Sequence, residues 1–218
     1  MTEVNITTSA QASHDAASGK EVKSFQLKRG EQVNLTRLDP TIKTILIGVG
    51  WDVIGFDGEA PDLDASIFLL DKNGKTRMDE DFIFYNNLKS AGGEVEHRGD
   101  NRTGAGDGDD EIMLVDLMAL PYEVASLSFV ISIYDAGVRE HNFKSVRNCF
   151  LRISNPETGI ELMRFNLDKE FEENHKATAV TVGTLMREGA NWFFDGLGTL
   201  EEGGLPKIAT EYGIIVAT

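Results

Sequence analysis

From Phe25 onward the chain reads as short apolar runs broken every few residues by turn-forming ones, with no long amphipathic stretch between them. The runs expected as strands are Phe25 to Leu27, Gln32 to Thr36, Thr44 to Gly50, Asp64 to Leu70, Phe82 to Asn86, Ile112 to Leu117, Leu127 to Tyr134, Phe150 to Ser154, Ile160 to Asn166, Ala179 to Met186 and Trp192 to Asp195. Asn155-Pro-Glu-Thr-Gly159 and Arg187-Glu-Gly-Ala-Asn191 each separate two such runs with turn-forming residues, so both predict hairpins and antiparallel neighbours. The pattern predicts an all-β fold, a two-sheet β-sandwich with a few short helices, near Asn142 to Val146 and Leu205 to Tyr212. Residues 1–23 are rich in Ser, Thr, Ala and charge, and are expected as a flexible tail ahead of one domain over residues 24–218.

One stretch resists regular structure. From His97 to Glu111 five carboxylates, Asp100, Asp107, Asp109, Asp110 and Glu111, fall within twelve residues, interleaved with Gly99, Gly104, Gly106 and Gly108. Glycines let a backbone turn its carbonyls inward, and carboxylate and carbonyl oxygens are the donors hard divalent cations prefer. Two carboxylates about 5 Å apart repel by roughly 3 kcal/mol at an effective dielectric of about 20, so the cluster points to a cation, calcium first. Arg98 and Arg102 supply some local compensation, and the alternative is a solvated acidic turn.

A second acidic element, Asp62-Leu-Asp-Ala-Ser66, runs straight into an apolar strand. In a strand Asp62, Asp64 and Ser66 share one face and Leu63, Ala65, Ile67 and Leu69 the other, which puts two carboxylates at one rim of a sheet. The sequence does not say whether this rim meets the glycine-rich loop. An EF-hand register counted from Asp100 fails, because Arg102 and Ala105 stand where an oxygen donor and a glycine belong. A phosphate cradle is disfavoured by the same carboxylates.

The formal net charge of -15 and a hydrophobic fraction of 41% describe a chain with enough apolar residues for a core and a surface that repels nucleic acid and anionic membranes. No stretch has the apolar length of a membrane span and no basic segment leads an apolar one, so the expectation is a cytoplasmic protein without direct membrane insertion. Cys149 is the one cysteine, which excludes a disulfide framework, a dithiol redox motif and a thiolate zinc site; beside Phe150 it is expected to be buried and unreactive. Asp135, Arg139, Glu140 and His141 follow an apolar strand and read as a solvated loop.

Gly48-Val-Gly-Trp-Asp52, Asp62-Leu-Asp-Ala-Ser66, Phe82-Ile-Phe-Tyr-Asn86 and the motif from Gly99 to Glu111 together resemble the TerD family of tellurium-resistance and stress-response proteins, over roughly residues 24 to 213. The resemblance implies a β-sandwich that binds Ca²⁺ without an established catalytic activity, working beside other tellurite-resistance and stress proteins that include a membrane component. Carried over residue by residue, it implies Asp62, Asp64, Asp100, Asn101, Asp107, Asp109, Asp110 and Glu111 as ligands, with the carbonyls of Gly104 and Gly106 as further donors. Pro61 stands where the family often has phenylalanine, and Glu140-His141 replaces its usual Gly-Gln; both bear on partner choice. The competing reading is a metal-dependent hydrolase or transferase that holds a catalytic cation on the Asp-x-Asp pair, for which the sequence offers no compelling base.

Overall fold

Ile45, Ile47, Val49 and Trp51 alternate with Leu46, Gly48, Gly50 and Asp52, and in the structure the first set is buried in a core drawn from two sheets. The computed structural model describes residues 12–13, 22–53, 60–99 and 108–216. Its strands are β1 (Ala12–Ser13), β2 (Val22–Lys23), β3 (Phe25–Leu27), β4 (Gln32–Asn34), β5 (Thr44–Val53), β6 (Leu63–Leu70), β7 (Phe82–Ile83), β8 (Val95–Gly99), β9 (Glu111–Asp116), β10 (Ser126–Ile133), β11 (Val146–Ser154), β12 (Glu161–Asn166), β13 (Ala179–Glu188) and β14 (Asn191–Glu201). Short helices α1 (Leu35–Leu38), α2 (Ala136–Arg139), α3 (Asp168–Phe171) and α4 (Gly204–Tyr212) sit between or after them.

The fold is all-β. One sheet runs β3-β12-β11-β5-β9-β8 and the other β4-β14-β13-β10-β6-β7, while β1 and β2 pair with each other. Both expected hairpins form, β11 with β12 and β13 with β14, the second closing tightly between Glu188 and Asn191 over Gly189 at φ 60°. Among the described residues the exception to antiparallel pairing is β3, which lies parallel to β12 through Met163↔Phe25.

The alternation expected for β6 is observed and has a consequence. Leu63, Ala65, Ile67 and Leu69 enter the core between the sheets, whereas Phe68 and Leu70 join Phe82, Val130, Ile208 and Ala209 in a second cluster on the other face. That cluster is where α4 docks. Each of its fully buried large side chains contributes about 1.5–3 kcal/mol by leaving water. The helix stops at Gly213, whose φ of 101° suits a residue without Cβ, and the Tyr212 carbonyl accepts the Thr76 N–H at 2.8 Å.

Several expectations of extent change. The strand expected over Gln32 to Thr36 ends at Asn34, whose side-chain oxygen accepts the Arg37 N–H at 2.9 Å and caps α1. The strand expected over Phe82 to Asn86 ends at Ile83, because Asn87 donates its side-chain amide to the Phe82 carbonyl at 2.7 Å and the chain turns back between Phe84 and Asn87. Strand β8 was unexpected. It pairs with β9 through Val95↔Val115 and His97↔Met113, which makes the glycine-rich acidic stretch the loop of a hairpin.

Candidate metal centre

On one side β6 pairs with β10 from Leu63 to Leu70, but on the other β7 covers it only at Ile67 and Phe68. Its edge from Leu63 to Ser66 therefore needs other partners for its backbone groups. Glu111, at the start of β9 in the opposite sheet, supplies one: its Oε2 accepts the Ala65 N–H at 2.5 Å. The last residue of the acidic loop is thereby bound to the strand that carries Asp62 and Asp64. Asp64 is only 4% exposed, Ser66 is fully buried and Asp62 is half-buried, so the polar face expected at a rim lies mostly inside the protein.

Asp109, Asp110 and Glu111 are consecutive, and each is held by a different strand. Asp109 lies over the outer face of β5 and is gripped through both oxygens by Arg152 of β11, at 2.6 and 2.7 Å. Asp110 accepts the Trp51 N–H of β5 at 2.9 Å, and its own N–H donates to the Val49 carbonyl at 2.7 Å. Glu111 crosses to β6. The glycines of Gly48-Val-Gly50 make this possible: a Cβ on Gly48 would sit 2.2 Å from the Asp109 carboxylate, and one on Gly50 would sit 2.7 Å from the Gly108 carbonyl. Gly108 itself has φ 129°, open to glycine alone at no cost.

Around these anchors the charges are organised. His97 Nε2 lies 3.5 Å from Glu111 Oε2, and both side chains are buried. Arg152 also meets Glu161 at 3.4 Å, and Glu161 in turn meets Arg164 at 3.1 Å and accepts the Ser24 hydroxyl at 2.7 Å. Burial pushes the Glu161 carboxyl up, but the hydrogen bonds from Arg164 and Ser24 outweigh it and leave the group below its ordinary value. The Tyr85 phenol is raised, first by burial and then by the negative charge of Asp64.

The remaining expected ligands, Asp100, Asn101, Gly104, Gly106 and Asp107, lie outside the described residues. Among the described residues, no three His, Cys, Asp or Glu side chains gather closely enough to hold a metal ion. The described part of the site is thus a set of anchors at both edges of the loop, from Gly99 on β8 to Gly108, together with Asp62 and Asp64. Cys149 is fully buried and its thiol is pushed well up by that burial, with Asp168 and Asp110 adding to the effect, which makes it the inert residue expected.

Residues 24–212 match the TerD domain. The chain belongs to the TerD family. It is 45% identical over 194 residues to General stress protein 16U of Bacillus subtilis (strain 168), covering 88% of this chain and 99% of that protein. It is 45% identical over 191 residues to Tellurium resistance protein TerD of Alcaligenes sp, covering 88% of this chain and 98% of that one. A solved homologue of telluride resistance protein (TerD) from Streptomyces coelicolor A3(2) superposes with a TM-score of 0.64 at 20% identity, over 79% of this chain and 98% of that chain. That likeness confirms the fold.

The TerD match runs from Ser24, which is bonded to Glu161, to Tyr212 at the end of α4, so both its limits are residues tied into the sandwich. Within this TerD domain the sequence reading missed two participants. His97 shares the buried position beside Glu111; the signal was the alternation of Val95 and His97 opposite Val115 and Met113. Arg152 clamps Asp109 from a strand whose apolar neighbours gave no hint of it. His141 is buried at 6% exposure, which corrects the expectation of a merely solvated loop from Asp135 to His141. Asp135 and Glu140 hold that loop with φ of 47° and 56°.

Proposed function

We propose that this TerD-family chain is a calcium-binding stress-response protein of the tellurite-resistance type, acting as a Ca²⁺-dependent binding or scaffold module in the cytoplasm. The observation that carries the reading is the Ala65 N–H to Glu111 bond, which ties the glycine-rich acidic loop to the strand bearing Asp62 and Asp64. Two acidic segments separated by 46 positions, from Ala65 to Glu111, thus belong to one region of the protein. Hard oxygen donors on a glycine-rich loop fit the six to eight ligands that calcium accepts better than the rigid octahedron of magnesium.

In this reading Asp62 and Asp64 hold the ion with Asp100, Asn101 and Asp107 and the carbonyls of Gly104 and Gly106. Asp109 is assigned to anchoring, since both its oxygens are on Arg152. Asp110 and Glu111 combine the two roles, because a carboxylate offers about four lone-pair positions and one accepted hydrogen bond does not exclude a metal. The bound cation supplies positive charge that relieves carboxylate repulsion. The anchors limit the loop's conformational freedom, so less ordering remains to oppose binding. The ordered loop then presents a surface to other tellurite-resistance and stress proteins, a membrane-bound component among them.

Calorimetric titration of the full chain with CaCl₂ and with MgCl₂ tests the proposal. Binding of Ca²⁺ at least about tenfold tighter than Mg²⁺ is expected from the ligand chemistry; equal affinity, or no heat for either ion, would refute it.

A further inference from the structure

The Phe82-Ile-Phe-Tyr-Asn86 motif has no part in the calcium reading, yet it builds one wall of a cavity of about 840 Å³ between α4 and the outer face of β6, β7 and β10. Phe82, Phe84, Tyr85 and Tyr134 line it as part of a ladder of rings that starts at the buried Phe68 behind them. Phe68 stacks on Phe82 at 4.3 Å between centroids, Phe82 on Phe84 at 4.2 Å, Phe84 meets Tyr85 edge-on at 5.1 Å, and Tyr85 meets Tyr134 at 5.6 Å. Opposite it stand Leu205, Pro206 and Ala209 of α4. Val138 and Ile215 also line the cavity while remaining 86% and 93% exposed, so water covers apolar side chains there.

The charged residues that line this space have one sign. Asp64, Asp79, Glu80, Asp135 and Glu202 line it, and among the described lining residues none is Lys, Arg or His. Asp64 is the buried member; the other four are exposed. Ring faces are negative and attract cations, more strongly when the pair is shielded from water. Tyr134 already makes such a contact with Arg139, whose guanidinium carbon lies 5.4 Å from the ring centroid. The volume falls in the range of small-molecule sites, which are about 300–1,000 Å³ with mostly apolar walls and a few convergent polar groups.

We propose that this cavity is a binding site for a small organic cation with an aromatic or apolar body. The rings and α4 take the body, and the carboxylates hold the positive charge. The inference does not rest on the calcium reading, because the four exposed carboxylates and the rings remain if a metal engages Asp64.

The test is fluorescence anisotropy of the full chain with rhodamine 6G, a planar monocation, against fluorescein, an anion on the same ring framework. Rhodamine is expected to bind and fluorescein is not. The variant Asp79→Asn/Glu80→Gln/Asp135→Asn/Glu202→Gln is expected to weaken rhodamine about tenfold, and Tyr85→Ala or Tyr134→Ala at least about threefold, in line with lost charge and cation–π contacts. A control, Glu123→Gln/Glu157→Gln/Glu172→Gln/Glu188→Gln, removes four exposed charges that do not line the cavity and is expected to leave binding within about twofold, as for screened distant charges. Equal weakening in both charge variants would reduce the effect to general attraction and overturn the proposal. So would fluorescein binding as tightly as rhodamine, which would make the cavity an indifferent apolar site, or sedimentation showing a dimer that takes up neither dye.

Discussion

Glu111 in one sheet accepts the backbone N–H of Ala65 in the other at 2.5 Å, and this bond joins the two acidic segments of the chain. It also closes the part of the β6 edge that β7 leaves uncovered. Replacing Glu111 with alanine strands a buried donor and removes a charge-assisted bond, at a cost of about 1–3 kcal/mol. Glu111→Gln keeps an acceptor and is expected to lose less. Urea unfolding of the two variants checks this; a glutamine variant as unstable as the alanine one would assign the effect to charge alone.

Gly48 is expected to tolerate no side chain while Asp109 is clamped. Gly48→Ala puts a Cβ 2.2 Å from the Asp109 carboxylate, so the Asp109–Arg152 pair must shift, at about 1–3 kcal/mol as for overpacked sites. In the Asp109→Ala background the clash is gone and the same substitution is expected to cost less than about half as much. Thermal unfolding of the double-mutant cycle measures the coupling, and strict additivity would contradict the geometry.

The hairpins, the alternation along β6 and the position of α4 were legible because each is written in local pattern: turn residues between apolar runs, or period-two burial. Strand β8 was not. Its His97 and Arg98 fall in the stretch read as irregular, yet Glu96 and Arg98 pair with each other at 2.9 Å on the exposed side, and Lys89 joins Glu96 at 3.0 Å, while His97 turns inward beside Glu111. Strand β14 runs on to Glu201, past the Asp195 at which the expected strand ends and past two glycines. Gly196 is there for space, since a Cβ would stand 2.8 Å from the Lys28 carbonyl, and Gly198 for its φ of 56°. The parallel contact of β3 with β12 joins residues over 130 positions apart, as in Met163↔Phe25, and leaves no local trace. For the same reason the convergence of the two acidic segments could be posed from sequence but not answered.

Acid is expected to weaken the outer face of the β11–β12 sheet first. The folded Glu161 carboxyl lies below its ordinary value of about 4.5, so the stability it contributes is fully present above about pH 4.5 and is lost as pH falls through the lower folded value. Glu161→Gln removes that dependence. Melting temperatures between neutral pH and the acid limb should therefore converge for wild type and variant below that window; parallel curves would show that Glu161 does not titrate with folding.

Calcium is expected to stabilise the native state by RT ln(1 + [L]/Kd), about 2.7 kcal/mol at a hundredfold excess over Kd. Repulsion among the carboxylates makes the loop the first region to loosen when the ion is removed. Hydrogen exchange with and without chelator should change most between Gly99 and Glu111 and least in the core strands β10 and β13. Protection in the loop that ignores calcium, with an unchanged melting temperature, would make the acidic turn a solvated surface.

The most direct test of a shared metal region is the calcium affinity of Asp62→Asn/Asp64→Asn, measured by calorimetry beside the wild-type chain. Both changes remove charge with little change of shape, and the loop itself is untouched. Removing two charged ligands from one site is expected to weaken binding by about a hundredfold, comparable to neutralising Asp100 and Asp107 in the loop. Wild-type affinity in the Asp62/Asp64 double variant would contradict the account, leaving the loop to bind its ion alone and the Ala65–Glu111 bond as a structural tie.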